Sequence, residues 1–199
     1  MPQIQAHGLA VQTPPGWEGR IFRRRQAGEL SAQAEVPGAP APAGEQIFPV
    51  VHVATIPLAA DVADFVSDAV EHLGPTDAIV VLKEYAPASA TTKLFAATGL
   101  PRLLDPDGFD PRVLNRQLAG QAGLQRFFNE SGRAFCLYVV IGAYQRRHDV
   151  VPVVNTVLAT VQIDPVGSTS TPPSSTGSTT TTTTTATSPG ARSTPPSSS

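Results

Sequence analysis

Residues 129–144 read NESGRAFCLYVVIGAY, and the run Arg133 to Ile141 within them decides the fold. Phe135, Leu137, Val139 and Ile141 alternate with Cys136, Tyr138 and Val140, so a strand here is apolar on both faces. Such a strand lies centrally in a sheet, with a covering layer above and below. LQRFFNES, residues 124–131, runs into Ser131-Gly132, which predicts a hairpin joined at Glu130–Gly132. Glu130 and Arg133 flank its tip; a cross-strand ion pair is one reading and anion capture by Arg133 the other. Cys136 is the only cysteine. It reads as a small core hydrophobe, because desolvation inside FCLYVVI raises a thiol's pKa and a reactive thiol needs the opposite.

Upstream, DAIVVLKEY (77–85) is a strand whose Ala78 to Leu82 run is covered on both faces, and IFPVVHVAT (47–55) is a strand with Pro49 near its start. Between them Val62, Phe65, Val66, Ala69, Val70 and Leu73 recur at helical spacing, opposite Asp64, Asp68 and Glu71. That stripe predicts a helix capped by Asp61 and ended by Gly74-Pro75. Leu9 to Thr13 and Gly19 to Arg25 predict a hairpin across Pro14-Pro15-Gly16. Trp17 then covers the end of the core, with ligand stacking as the sharper alternative.

Downstream, DVVPVVNTVLATV (149–161) predicts a helix. Asp149 is its cap, Pro152 falls in its first turn, and Val150, Val154, Val157, Leu158 and Val161 form its stripe. Ala88 to Thr98 is weakly helical. Residues 110–118 fit a short helix or a strand equally, since Asp110-Pro111 can begin either.

Residues 165–199 hold one aliphatic residue of core size, Val166, among Ser, Thr and Pro. A segment of that composition cannot bury enough apolar surface to offset chain entropy, so a disordered tail is expected. Residues 26–46, rich in Pro, Ala and Gly, are expected to be a long mobile loop. This leaves a single α+β domain over residues 1–164.

All 16 Asp and Glu fall in that domain while one of the 14 Lys and Arg, Arg192, lies in the tail, giving the domain a formal charge of -3. A mildly acidic domain lacks the basic footprint that phosphate backbones require, which argues against a nucleic-acid partner. Arg23-Arg24-Arg25 is the one dense positive run. It reads as a solvated strand end or as an anion-docking site. Without an export signal or a span of ~20 apolar residues, a cytoplasmic location is expected, with non-classical export as the alternative.

Chemistry is sparse. His7, His52, His72 and His148 never fall at metal-ligand spacing. DPDGFD (105–110) resembles a calcium loop but has its glycine too early and Arg116 where a closing Glu belongs, so turn chemistry accounts for its aspartates. No nucleophile elbow, dinucleotide fingerprint or P-loop is present. No catalytic, cofactor-binding or metal residues are assigned, and no cofactor is expected. Trp17, Arg23, Arg24 and Arg25 are the candidate interaction residues.

LAVQTPPGW (9–17) and RAFCLYVVIGAY (133–144) followed by VVPVVNTVLATVQI (150–163) resemble the PsbP-like α/β/α sandwich group. That group includes plant photosystem extrinsic subunits, a nuclear-import Ran-binding protein and LpqN-type actinobacterial lipoproteins. The resemblance spans most of residues 7–163 and points more narrowly to an actinobacterial family. It implies an antiparallel sheet with helices packed on both faces, and binding or assembly roles with no shared catalytic constellation. The expected function is therefore a non-catalytic protein-interaction or assembly module. The alternatives are a binder of a small apolar ligand or lipid between sheet and helix, and an exported, O-glycosylated cell-envelope protein.

Overall fold

A computed structural model describes residues 1–23, 48–59, 63–114 and 116–165. The expected loop at 26–46, nearly all of the expected tail, the proposed cap Asp61, and Arg24 and Arg25 lie outside the described residues.

The described residues form a mixed α+β structure from two antiparallel sheets and one α-helix. The strands are β1 (Gln3–Ala6), β2 (Leu9–Gln12), β3 (Glu18–Phe22), β4 (Val50–Ala54), β5 (Ala78–Tyr85), β6 (Ala122–Glu130), β7 (Arg133–Ile141) and β8 (Gln162–Ile163). The helix α1 is Arg147–Thr160. The large sheet runs β3-β4-β5-β7-β6 and the small one β1-β2-β8.

β7 is the interior strand its pattern predicts. It pairs with β5 on one side and β6 on the other, and all nine of its residues are buried. Alternation sorts the side chains onto two faces. Val51 and Val53 of β4, Val80 and Leu82 of β5, and Phe135, Leu137, Val139 and Ile141 of β7 share the first face with α1 and the small sheet. Val50, Ile79, Val81, Cys136, Tyr138 and Val140 form the second face, under Val66, Ala69, Val70 and Leu114.

The β6–β7 hairpin turns at Ser131 and Gly132, both with positive φ, 56° and 77°. Two consecutive left-handed residues make the I′ turn that suits strand twist.

The N-terminal hairpin differs from the expectation. Pro14-Pro15-Gly16-Trp17 is a turn, with Gly16 at φ 79° and Trp17 N–H donating to Pro14 O at 3.1 Å, but the strands it joins belong to different sheets. β2 is flanked by β1 and β8, so neither of its edges is left for β3, which pairs with β4. The actual hairpin is β1–β2, through His7 and Gly8 at φ 56° and 71°.

The helix expected from 61 to 73 is also corrected. Val66 stands at φ 52°, and among the described residues of this stretch the regular piece is a 3-10 turn at Val70–His72. His52 Nε2 contacts Asp64 O at 2.9 Å, engaging a carbonyl that an α-helix would offer to the amide of Asp68. One α-helix is found among the described residues. It covers the first face, while irregular backbone and 3-10 turns cover the second.

Ala88 to Thr98 resolves into 3-10 turns at Pro87–Thr91 and Lys93–Phe95. Pro111–Val113 is a 3-10 turn capped by Asp110, whose carboxylate accepts from Arg112 N–H. The helix α1 begins at Arg147, two residues before the expected cap. Asp149 pairs with Arg146 at 2.8 Å instead of capping, and Pro152 lies inside the helix. The valine and leucine stripe of α1 is buried as expected, with Val151 added.

Candidate functional site

Two buried polar assemblies interrupt the apolar layers. The first is centred on Arg133, at the start of β7. Its Nε donates to Glu84 Oε1 at 2.9 Å and its Nη2 to Glu84 Oε2 at 2.6 Å. Nη2 also donates to His7 O, and Nη1 to Gly8 O and Asp164 O. The five N–H groups of the guanidinium are thereby matched by five acceptors. Its side chain is 7% exposed and that of Glu84 9%.

This geometry corrects the expected pair at the hairpin tip. Glu130 turns to Arg102 and to the amide of Leu100, while Arg133 crosses to β5. Register explains the choice. Glu84 faces Phe135 across the β5–β7 ladder, and Arg133, two residues from Phe135, projects to the same face. Arg133 thus ties the β1–β2 turn and the end of β8 to the large sheet.

The second assembly lies on the opposite face. His52, fully buried in β4, has Nδ1 3.3 Å from Arg20 Nη2 and Nε2 2.9 Å from Asp64 O. A guanidinium can only donate and a carbonyl can only accept, so His52 carries its proton on Nε2. Lys83 Nζ meets Asp64 Oδ2 at 2.8 Å and lies over the rings of Phe65 and Tyr85. Beside Lys83, in the same row of the ladder, is Cys136. Burial pushes the Cys136 thiol up to about 11, against smaller opposing effects of the Gln125 amide, 3.4 Å from Sγ, and of Lys83. The thiol is protonated and enclosed, which is the core role its sequence setting predicts.

A shallow cleft opens beside this assembly, lined by Glu18, Gly19, Arg20, His52 and Leu58. Its volume is ≈ 220 Å³ including the open solvent at its mouth. The space between α1 and the large sheet is filled by Val150, Val151, Val154, Val157 and Leu158.

Trp17 is half-buried against the first core, in the covering role expected of it. Arg23 is exposed just beyond β3. The strand between them separates the two by about 20 Å at ~3.3 Å per residue, so they form no single patch. Arg23 does share a corner with the Arg133 clamp: partial burial lowers the His7 pKa, Arg23 and Arg133 lower it further, and Glu84 opposes them.

The aspartates of 105–110 serve turns. Asp105 accepts from Asp107 N–H, Asp107 pairs with Arg147, and Asp110 chelates Arg112. That hydrogen bonding holds the Asp110 carboxyl below its usual range. Among the described residues no three His, Cys, Asp or Glu side chains are grouped to hold a metal ion, and no helix is long and apolar enough to cross a membrane.

The Arg133 clamp is the feature sequence reasoning missed. Its signal is a parity count: Glu84 falls in register with Ala78, Val80 and Leu82, and Arg133 with Phe135 and Leu137. Two charges on one buried face call for each other. Comparison with protein-family models, curated proteins and solved structures found no significant match to this chain.

Proposed function

We propose that the chain is a non-catalytic interaction or assembly module, with residues 165–199 as its tether. The observation that carries this reading is the internal commitment of the buried reactive groups. Arg133 and Glu84 satisfy each other and the backbone, His52 bridges Arg20 and Asp64, and Cys136 is enclosed with a raised pKa. Each stabilises the fold. The filled layer between α1 and the sheet favours this reading over a ligand held there.

Arg23, exposed just beyond β3, is with Arg24 and Arg25 the proposed contact for an acidic partner surface. Kinship with the PsbP-like sandwich group belongs to the same proposal and rests on LAVQTPPGW and RAFCLYVVIGAY. The cytoplasm is the proposed compartment, consistent with a single unpaired cysteine.

The test is quantitative affinity purification from native extract with the full chain and with an Arg23→Glu, Arg24→Glu, Arg25→Glu variant. A partner enriched by the first and lost from the second is expected. Identical profiles would remove the arginine surface, and no enrichment with either would remove the module reading.

A further inference from the structure

Residues 63–73 set sequence pattern against conformation. Phe65, Val66, Ala69, Val70 and Leu73 have the spacing by which an amphipathic helix buries one stripe. The observed backbone instead passes through Val66 at φ 52°. After it come mostly three-residue turns, Ala69 N–H to Val66 O and Leu73 N–H to Val70 O. A β-branched residue in the left-handed region is strained, and Val66 is fully buried, so the conformation is imposed by its surroundings.

Among the described residues, two contacts hold Asp64 in this conformation. His52 Nε2 donates to its carbonyl at 2.9 Å, and Lys83 Nζ meets its carboxylate at 2.8 Å. In a helix that carbonyl would accept from Asp68 N–H. Meanwhile Val66, Ala69 and Val70 are buried on the second face of the large sheet. A helix over the same residues would present the same stripe to the same face. The two conformations therefore compete for one surface, and the hold on Asp64 decides between them.

We propose that residues 63–73 are a two-state segment: a strained turn while His52 and Lys83 hold Asp64, and an amphipathic helix on the same sheet face when that latch opens. Lys83 is the accessible handle. Its side chain is 26% exposed, whereas His52 is enclosed. Such a segment is bistable in the sense that two packings of one sequence differ little in free energy.

The test uses the full chain, isotopically labelled, and reads Cα secondary shifts over 63–73 with hydrogen exchange of the Asp68 amide. Lys83→Met keeps the apolar stem over Phe65 and Tyr85 and removes the ammonium. It is expected to move the shifts to helical values and slow Asp68 exchange at least about tenfold, the signature of a new i→i−4 bond. Adding Val66→Gly, which accepts positive φ without strain, should return the double variant to the wild-type shifts. A folded Lys83→Met protein with unchanged shifts would overturn the proposal, as would a double variant that stays helical. Asp64→Asn removes the ion pair without touching Lys83 and must give the same helical shift; if it retains the turn, the latch does not exist.

Discussion

The guanidinium of Arg133 grips the carboxylate of Glu84 through two hydrogen bonds, Nε to Oε1 at 2.9 Å and Nη2 to Oε2 at 2.6 Å, inside the layer that joins the two sheets. A buried pair of this kind is costly to break from one side, because the remaining charge keeps its desolvation penalty and loses its partner.

Arg133→Met is therefore expected to destabilise the fold by about 3–5 kcal/mol. The double variant Arg133→Met, Glu84→Leu should cost less than the sum of the singles by more than about 1 kcal/mol. It will not reach wild-type stability, since the carbonyls of His7, Gly8 and Asp164 lose the guanidinium, although Gly8 O keeps the Asp164 N–H. Urea denaturation of the four proteins measures this, and additive costs would show that the two side chains are not coupled.

Cys136 makes stability fall at alkaline pH. Its thiol is raised from 9.0 to about 11 in the fold, so as pH climbs the unfolded chain releases this proton first. The contribution is complete below the unfolded value and is lost across the interval from 9.0 to about 11. Cys136→Val should flatten the decline of the urea midpoint over that interval. A remainder persists from Tyr85, which burial also raises. Rapid reaction of the native thiol with a disulfide reagent below that range would contradict the enclosed setting.

Gly142 lies where β7 ends and the backbone passes against Gly74. A Cβ added there would run into the Gly74 carbonyl, and Gly142 N–H, bonded to Asp77 O at 2.9 Å, holds the two segments together. Gly142→Ala should cost about 3 kcal/mol or more, at the upper end for overpacking. A loss of less than about 1 kcal/mol in urea denaturation would mean that the 74–77 turn moves aside freely.

Pro152 stands inside α1 on its exposed side and withholds the amide that would bond His148 O. Pro152→Ala restores that donor and a better helix former, and should raise stability by about 1 kcal/mol after the looser unfolded chain is counted. A lower Tm for the variant would show that the ring contributes packing that outweighs the missing bond.

Local pattern carried much of this fold. The double apolar alternation of Phe135 to Ile141 placed β7 inside a sheet, Ser131-Gly132 placed the hairpin turn, and the stripe from Val150 to Val161 placed the helix face that is buried. Each depends on spacing within a few residues, which the chain displays directly. The setting of Cys136 was legible for the same reason, since its neighbours in sequence are also its burial.

Where partners are distant in sequence, the pattern misled. Leu9 to Gln12 has the alternation of a strand, but only the arrival of Gln162 and Ile163 at its edge decides that β3 must pair elsewhere. The stripe from Phe65 to Leu73 satisfies every local rule for a helix, and contacts on Asp64 from residues 12 and 19 positions away outweigh it. Arg133 beside Glu130 is the shorter-range pair in sequence, yet the register between β5 and β7 sets Glu84 within reach on the buried side.

The spacing of apolar residues along the chain set strands β2 to β7, the burial of β5 and β7 on both faces and the helix that covers one face, whereas β1 and β8 are too short and too polar to show such a period. Which strands share a sheet, which carboxylate neutralises Arg133 and how residues 63–73 run emerge at the level of the folded chain. Those outcomes are set by competition among hydrogen-bond and charge partners that meet only after the chain has folded.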